Sequence, residues 1–198
     1  MSEKSKSFSR RRFTSGLLAL GAASPLLSPS ILRAQATLAS AESGPQFVTS
    51  GFSTKRWQDY FDNRRNGVII SDTVERVLHY WSEDGNTYKI YPTSVPLTEE
   101  LTRRGRTRIV RKVNGPEWRP TPNMLRRDPD LPRYVGPGPQ NPLGTRALYL
   151  SWQYYRIHGT NDTRKIGRQA SNGCIGLYNE DIEELFELAK VGTQVILI

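Results

Sequence analysis

"SNGCIGLYNEDIEELFELAKVGTQVILI", residues 171–198, carries a glycine-flanked cysteine, an amphipathic helix and an apolar strand in one short run. The helix has the clearest local signals. Asn179 can cap its N-terminus, and Glu180 and Asp181 fill a first turn where the helix dipole favours carboxylates. Ile182, Leu185, Phe186 and Ala189 recur at helical spacing and make one buried stripe. Gly192 is expected to close the helix, and "TQVILI" (193–198) to follow as a buried strand. Working outward, strand signals dominate. Residues 74–91 read as two apolar-aromatic runs around Asp84-Gly85, a hairpin turn signal. Residues 147–158 read as a second strand pair. The expected fold is mainly β, with one or two short helices and no internal repeat.

The 198 residues begin with an export signature. Ser9-Arg10-Arg11-Arg12-Phe13 fits the twin-arginine pattern. A weakly apolar stretch and the small-residue site Ala34-Gln35-Ala36 follow it. Pro25 and Pro29 interrupt that stretch, short of the roughly 20 apolar residues that span a bilayer, so no permanent membrane anchor is expected. Residues 1–36 are read as a removed leader and the mature chain as periplasmic. The leader takes six bases and one acid, which leaves 22 bases against 18 acids and lowers the net charge from +9 to +4. That mild balance suits an anionic envelope polymer better than nucleic acid. The basic run "TRRGRTRIVRK" (102–112) is read as a solvated strand face. We place the folded domain at 74–198 and leave 37–73 as an N-terminal segment of unassigned role.

Residues 115–146 hold eight of the thirteen prolines. Structureless stretches of this length inside a compact domain are usually functional or disordered. Trp118, Leu125, Leu131 and Tyr134 favour an ordered loop that lines a cleft.

Cys174 is the only cysteine. No second thiol exists in the chain for a disulfide, and one Cys with two His leaves a zinc site short of ligands. A nucleophile needs a base, because a free thiol of pKa ~8.5 is mostly protonated near neutrality. His79 lies mid-strand in "RVLHYW" and reads as a strand residue. His158 ends a strand before Gly159-Thr160-Asn161, where a side chain can project into a cleft. Gly173 allows a sharp turn and close approach of a substrate, and backbone N–H groups beside Cys174 could face a developing oxyanion. On these residues alone, a nucleophile and a buried structural cysteine both fit.

"HGTN" (158–161), "SNGCIGLYNEDIEEL" (171–185) and "VGTQVILI" (191–198) together resemble the C-terminal half of the L,D-transpeptidase (YkuD) catalytic domain. The periplasmic Gram-negative branch is the nearer likeness. The resemblance extends upstream through "GPEWRPTPNM" (115–124) and "GPGPQNPLGTRALYLSW" (136–152), and more loosely to "YP" (91–92). It implies a β-sandwich-like domain with the active site under the long Pro-rich loop. Cys174 would be the nucleophile, His158 the general base and the Gly159 carbonyl its orienting group. Ser171 would shape the cysteine loop, and the N–H groups of Gly173 and Cys174 would form the oxyanion hole.

The implied substrate is the peptidoglycan stem peptide. Its third residue would be held as a thioester and passed to an amine of another stem or of an envelope protein, without cofactor or metal. A non-catalytic wall-binding protein, and a cysteine amidase or L,D-carboxypeptidase, are the alternatives. Two positions depart from the family pattern. Asn172 stands where histidine is frequent, and Gly176 where arginine is. Both are grouped with Ser171 as substrate-binding positions. The missing guanidinium leads us to expect another cation near the thiol, and Arg168 is the nearest in sequence to Ser171.

Overall fold

The computed structural model describes residues 52–198; the expected leader and the first part of 37–73 lie outside the described residues. Among the described residues ten strands form: β1 (Val68–Asp72), β2 (Val77–Trp81), β3 (Tyr88–Pro92), β4 (Val95–Pro96), β5 (Gly105–Asn114), β6 (Arg146–Leu150), β7 (Arg156–His158), β8 (Gln169–Ser171), β9 (Ile175–Gly176) and β10 (Gln194–Leu197). Eight of them make one mixed sheet in the order β3-β2-β1-β10-β5-β6-β7-β9, and β4 pairs with β8 in a small second sheet. All eight strands of the large sheet send residues into one apolar cluster, among them Tyr91, Leu78, Ile69, Val195, Ile109, Leu148, Ile157 and Ile175. A flat sheet of that width could not bring its two edges to one core, so the sheet curls. Each such side chain contributes about 1.5–3 kcal/mol on burial.

The expected elements form where the residue pattern puts them. β2 and β3 are the hairpin around Gly85 (φ 81°), β6 and β7 the second pair, and β10 the terminal strand. The helix α2 (Asn179–Leu188) lays Ile182 and Leu185 on the core. Its ends differ from expectation. Asn179 makes no cap; its Oδ1 instead accepts from the N–H groups of Thr145 and Thr160, both at 3.2 Å. That carbonyl oxygen is taken up in tying two loops together. Gly192 lies beyond the cap Ala189, in a left-handed turn (φ 96°) whose N–H donates to Ile109 O.

The domain also begins earlier than residue 74. β1 pairs in parallel with β10 and antiparallel with β2, in the middle of the sheet. Its outer face, Val68 and Ile70, is covered by Trp57, Tyr60 and Phe61. Lys55 adds a 2.8 Å ion pair to Asp72, whose carboxyl is held below its usual range despite burial. Residues from the end of the 37–73 segment are thus part of the fold.

The Pro-rich stretch is ordered, as expected. Trp118 and Val135 exchange backbone hydrogen bonds across it. A short helix α1 (Pro122–Arg127) starts at Thr121, whose side chain caps Met124 N. Asn141 is fully buried and donates to Pro116 O at 2.7 Å and Gly136 O at 2.9 Å, which closes the loop's base. Tyr134 is the exception among the expected packing residues. It is 45% exposed and carries the Arg119 guanidinium over its ring.

Candidate active site

β7 and β9 run parallel, with Ile157 opposite Ile175 and His158 opposite Gly176. That register sets His158, at the end of β7, and Cys174, just before β9, on adjacent strands. Both line one cleft of about 390 Å³. The Pro-rich loop forms its roof with Trp118, Met124 and Leu131, while Tyr154, Tyr155 and Arg156 form a wall.

His158 Nδ1 lies 2.5 Å from Gly159 O. A carbonyl can only accept, so Nδ1 carries the proton and Nε2 is left as the basic nitrogen. Burial pushes the ring's pKa down to about 4, against the Gly159 carbonyl and helped by the charges of Arg156 and Lys165. The imidazole is therefore neutral near pH 7. Burial likewise pushes the Cys174 thiol up, opposed by Arg156 through its charge and its hydrogen bonds to the sulfur. The resting pair is neutral thiol and neutral imidazole, not thiolate and imidazolium. The thiol donates to Tyr154 O at 3.3 Å, and Tyr154 holds an unusual left-handed φ of 68° to present that carbonyl. Strain of this sort is stored at functional sites.

Ser171 ties the two ends of the cysteine loop together. Its hydroxyl donates to Cys174 O at 2.5 Å and accepts from Gly173 N at 3.3 Å. Gly173 sits at φ 125°, which an L side chain rarely adopts, although a Cβ there would meet the Tyr155 ring only at ordinary contact distance, 3.4 Å. Because the Gly173 N–H is turned to Ser171, it does not stand free toward the cleft as an oxyanion donor. Asn172 is on the cleft rim, where its Oδ1 accepts from Arg127 of α1 at 2.5 Å. It thus joins the cysteine loop to the roof.

Two expected substrate contacts are not brought to the cleft. Arg168 is exposed in the turn before β8, where its carbonyl serves Val95 N, and it does not line the cavity. Gly176 is buried and bridges Ser94 through backbone bonds of 2.8 and 3.1 Å. A Cβ at 176 would land on Ser94 Oγ. Gly176→Arg should therefore cost about 2 kcal/mol through overpacking, and trimming the neighbour with Ser94→Gly should recover part of it. Thermal unfolding of the single and double variants measures this; an unchanged melting temperature for Gly176→Arg would mean the strand opens freely. His79 is a strand residue, as expected. It is buried on β2, stacked on Trp81 and hydrogen-bonded to Tyr88 Oη at 2.8 Å, outside the cleft.

The sequence reading above does not single out Tyr154, Tyr155 or Arg156. The signal available was "YYRIH" itself, three polar-tipped residues immediately before the histidine.

With this geometry in place, the sequence compares directly with known proteins. The family model described as the L,D-transpeptidase catalytic domain (YkuD) matches residues 66–197. The chain belongs to the L,D-transpeptidase (YkuD) catalytic domain family. A Fuscovulum blasticum protein, named as a candidate L,D-transpeptidase in the ATP synthase subunits region, is 56% identical over 149 residues, covering 75% of this chain and 78% of that one. ErfK/SrfK of Escherichia coli K12, named as a probable L,D-transpeptidase, is 39% identical over 142 residues, covering 69% of this chain. The aligned region spans only 45% of the length of ErfK/SrfK.

Solved L,D-transpeptidases share the fold. A Xylanimonas cellulosilytica domain superposes with a TM-score of 0.53 at 20% identity, over 75% of this chain and 66% of that one. L,D-transpeptidase 3 of Mycobacterium tuberculosis, solved with a faropenem-derived adduct, gives 0.52 at 18% identity, over 67% and 60%. The family match begins at residue 66, just ahead of β1 and earlier than residue 74.

Proposed function

We propose that this chain is a periplasmic L,D-transpeptidase that acylates itself on Cys174 and hands the acyl group to an amine. Family membership supports the reaction class, and the twin-arginine leader supports the compartment. The single observation that carries the assignment of residues is the floor of the cleft. There His158 ends β7 and Cys174 immediately precedes its parallel neighbour β9, with Nδ1 pinned to Gly159 O.

The reaction follows from that arrangement. Cys174 Sγ attacks the carbonyl carbon of the stem's third residue, a meso-diaminopimelate, while His158 Nε2 takes the thiol proton. The C–S bond forms, the C–N bond breaks, and the proton passes to the departing amine of D-alanine. A second amine then attacks the thioester, gives its proton to His158 and restores the thiol. The N–H of Cys174 is the oxyanion donor, since that of Gly173 is turned to Ser171. A stem amine yields a 3–3 cross-link, and an amine of an envelope protein yields a covalent anchor. One amide replaces another, so the exchange uses no ATP.

Incubating the protein with stem tetrapeptide and recording intact mass tests the reading. The expected result is a gain on Cys174 equal to the tetrapeptide less D-alanine, resolved by added stem amine into a cross-linked dimer. A thiol that iodoacetamide alkylates readily but that never carries this mass would overturn it.

A further inference from the structure

The cleft wall carries cations and no carboxylate: Arg119, Arg156 and Lys165 line it, with no Asp or Glu among the lining residues. Arg119 lies over Tyr134 and 3.9 Å from Glu117, so it is partly spoken for. Arg156 is different. It is half-buried on β7, one residue before Ile157, just as Cys174 lies one residue before Ile175, the partner of Ile157 on β9. Its guanidinium rests over the Tyr149 ring at 5.0 Å, and Arg111 covers the same ring at 3.9 Å. Among the described residues no carboxylate pairs with it, and its Nε is buried without a hydrogen-bond partner. A partly desolvated guanidinium held in place by an aromatic ring and facing no acid is suited to an anionic ligand.

We propose that Arg156 receives the terminal carboxylate of the leaving residue, and so selects stems that end one residue past the scissile bond. The inference rests on the transpeptidase reading. The geometry of the peptide identifies which carboxylate is meant. Across one amide and one Cα, that of the leaving residue lies within about 4 Å of the attacked carbon. The other carboxylates of the stem are separated from that carbon by several more bonds. A cation beside the sulfur meets that carboxylate with the fewest bonds to order. A stem with a further residue would replace this carboxylate by a neutral amide and leave Arg156 unpaired.

The test compares stem tetrapeptide with the same peptide amidated at its C-terminus. Wild type should prefer the free acid by ~30-fold in kcat/KM, the scale of one charge-assisted bidentate pair. Arg156→Gln should bring the two substrates within ~3-fold of each other, and Arg156→Lys should restore part of the preference. Any effect of Arg156 on thiol reactivity is common to both peptides and cancels in the ratio. Calorimetric binding of the two peptides to Cys174→Ala, with and without Arg156→Gln, gives the same comparison without chemistry. If no thioester forms on an alkylatable Cys174, the transpeptidase reading fails, while the binding comparison still decides the role of Arg156. Equal handling of acid and amide by wild type, or a preference that survives Arg156→Gln, would overturn the proposal.

Discussion

Cys174→Ala abolishes covalent capture of both stem tetrapeptide and β-lactam, with turnover falling by at least ~10⁴-fold to background. The expectation follows from the number of thiols as much as from their placement. The chain contains one cysteine, so no second thiol can accept the acyl group. The side chain is small, lies at the cleft surface, and donates only to Tyr154 O at 3.3 Å, so alanine leaves the fold intact. Intact-mass spectrometry of wild type with a carbapenem should show a single adduct, and the alanine variant none. An adduct that persists in Cys174→Ala would place the nucleophile elsewhere.

His158→Ala is the second large effect, at ~10²-fold or more in the rate of acylation, the usual scale for a positioned base. Its pH dependence carries the sharper test. Burial, aided by Arg156 and Lys165, holds the ring's pKa near 4, so the basic Nε2 is available throughout pH 5–8. Acylation should accordingly stay nearly flat down to about pH 5, where an ordinary histidine of pKa ~6.5 would already have switched it off. An acid limb centred near 6.5 would contradict the buried neutral imidazole.

Stability follows the same proton. Both histidines have folded pKa values below the unfolded value, His79 also through burial. Below pH ~6.5 these two rings bind more protons in the unfolded chain than in the folded one, so their contribution to stability is complete above that pH. Asp181, which burial pushes up to about 6, works in the opposite direction. The histidine contribution falls as the pH drops toward 4. Urea unfolding at pH 7.5 and 5.0 should show the loss, and His79→Ala should behave as a folding variant, with acylation reduced only in proportion to unfolded protein.

Strands and helix were legible where local pattern and tertiary environment agree. The hairpin at Asp84-Gly85 has a turn that only its own residues define, and α2 has a one-sided stripe. β1 was not legible because it is buried on both faces. "VIISD" lacks alternation, and a short apolar run without it fits a strand or a helix fragment equally. Asn179 was misread for a related reason. Its residue type suits a cap, and the decision to spend its oxygen on Thr145 and Thr160 is made by loops distant in sequence.

The site divides along the same line. Cys174, His158, Gly159 and Ser171 sit in two short motifs, and the contacts His158–Gly159 and Ser171–Cys174 are local. Arg168 was chosen for its closeness along the chain to Ser171, whereas strand register, not chain distance, decides neighbours in a sheet. Register brings Arg156 to the thiol and leaves Arg168 on the outer turn.

The position of β10 bears on how the chain is made. It lies between β1 and β5, so until residue 197 has left the ribosome the sheet exists as two unjoined parts. Each part then offers an unpaired edge, the kind of surface on which nascent chains pair with one another. Residues 68–92 must wait for a partner more than a hundred positions downstream, a long loop to close before any reward is collected. The nucleophile and its base are both synthesised before that closure. A chain in which β10 has not yet emerged therefore carries its thiol on one of two unjoined parts. Pairing of β10 with β1 on one side and β5 on the other closes both of these edges in a single step.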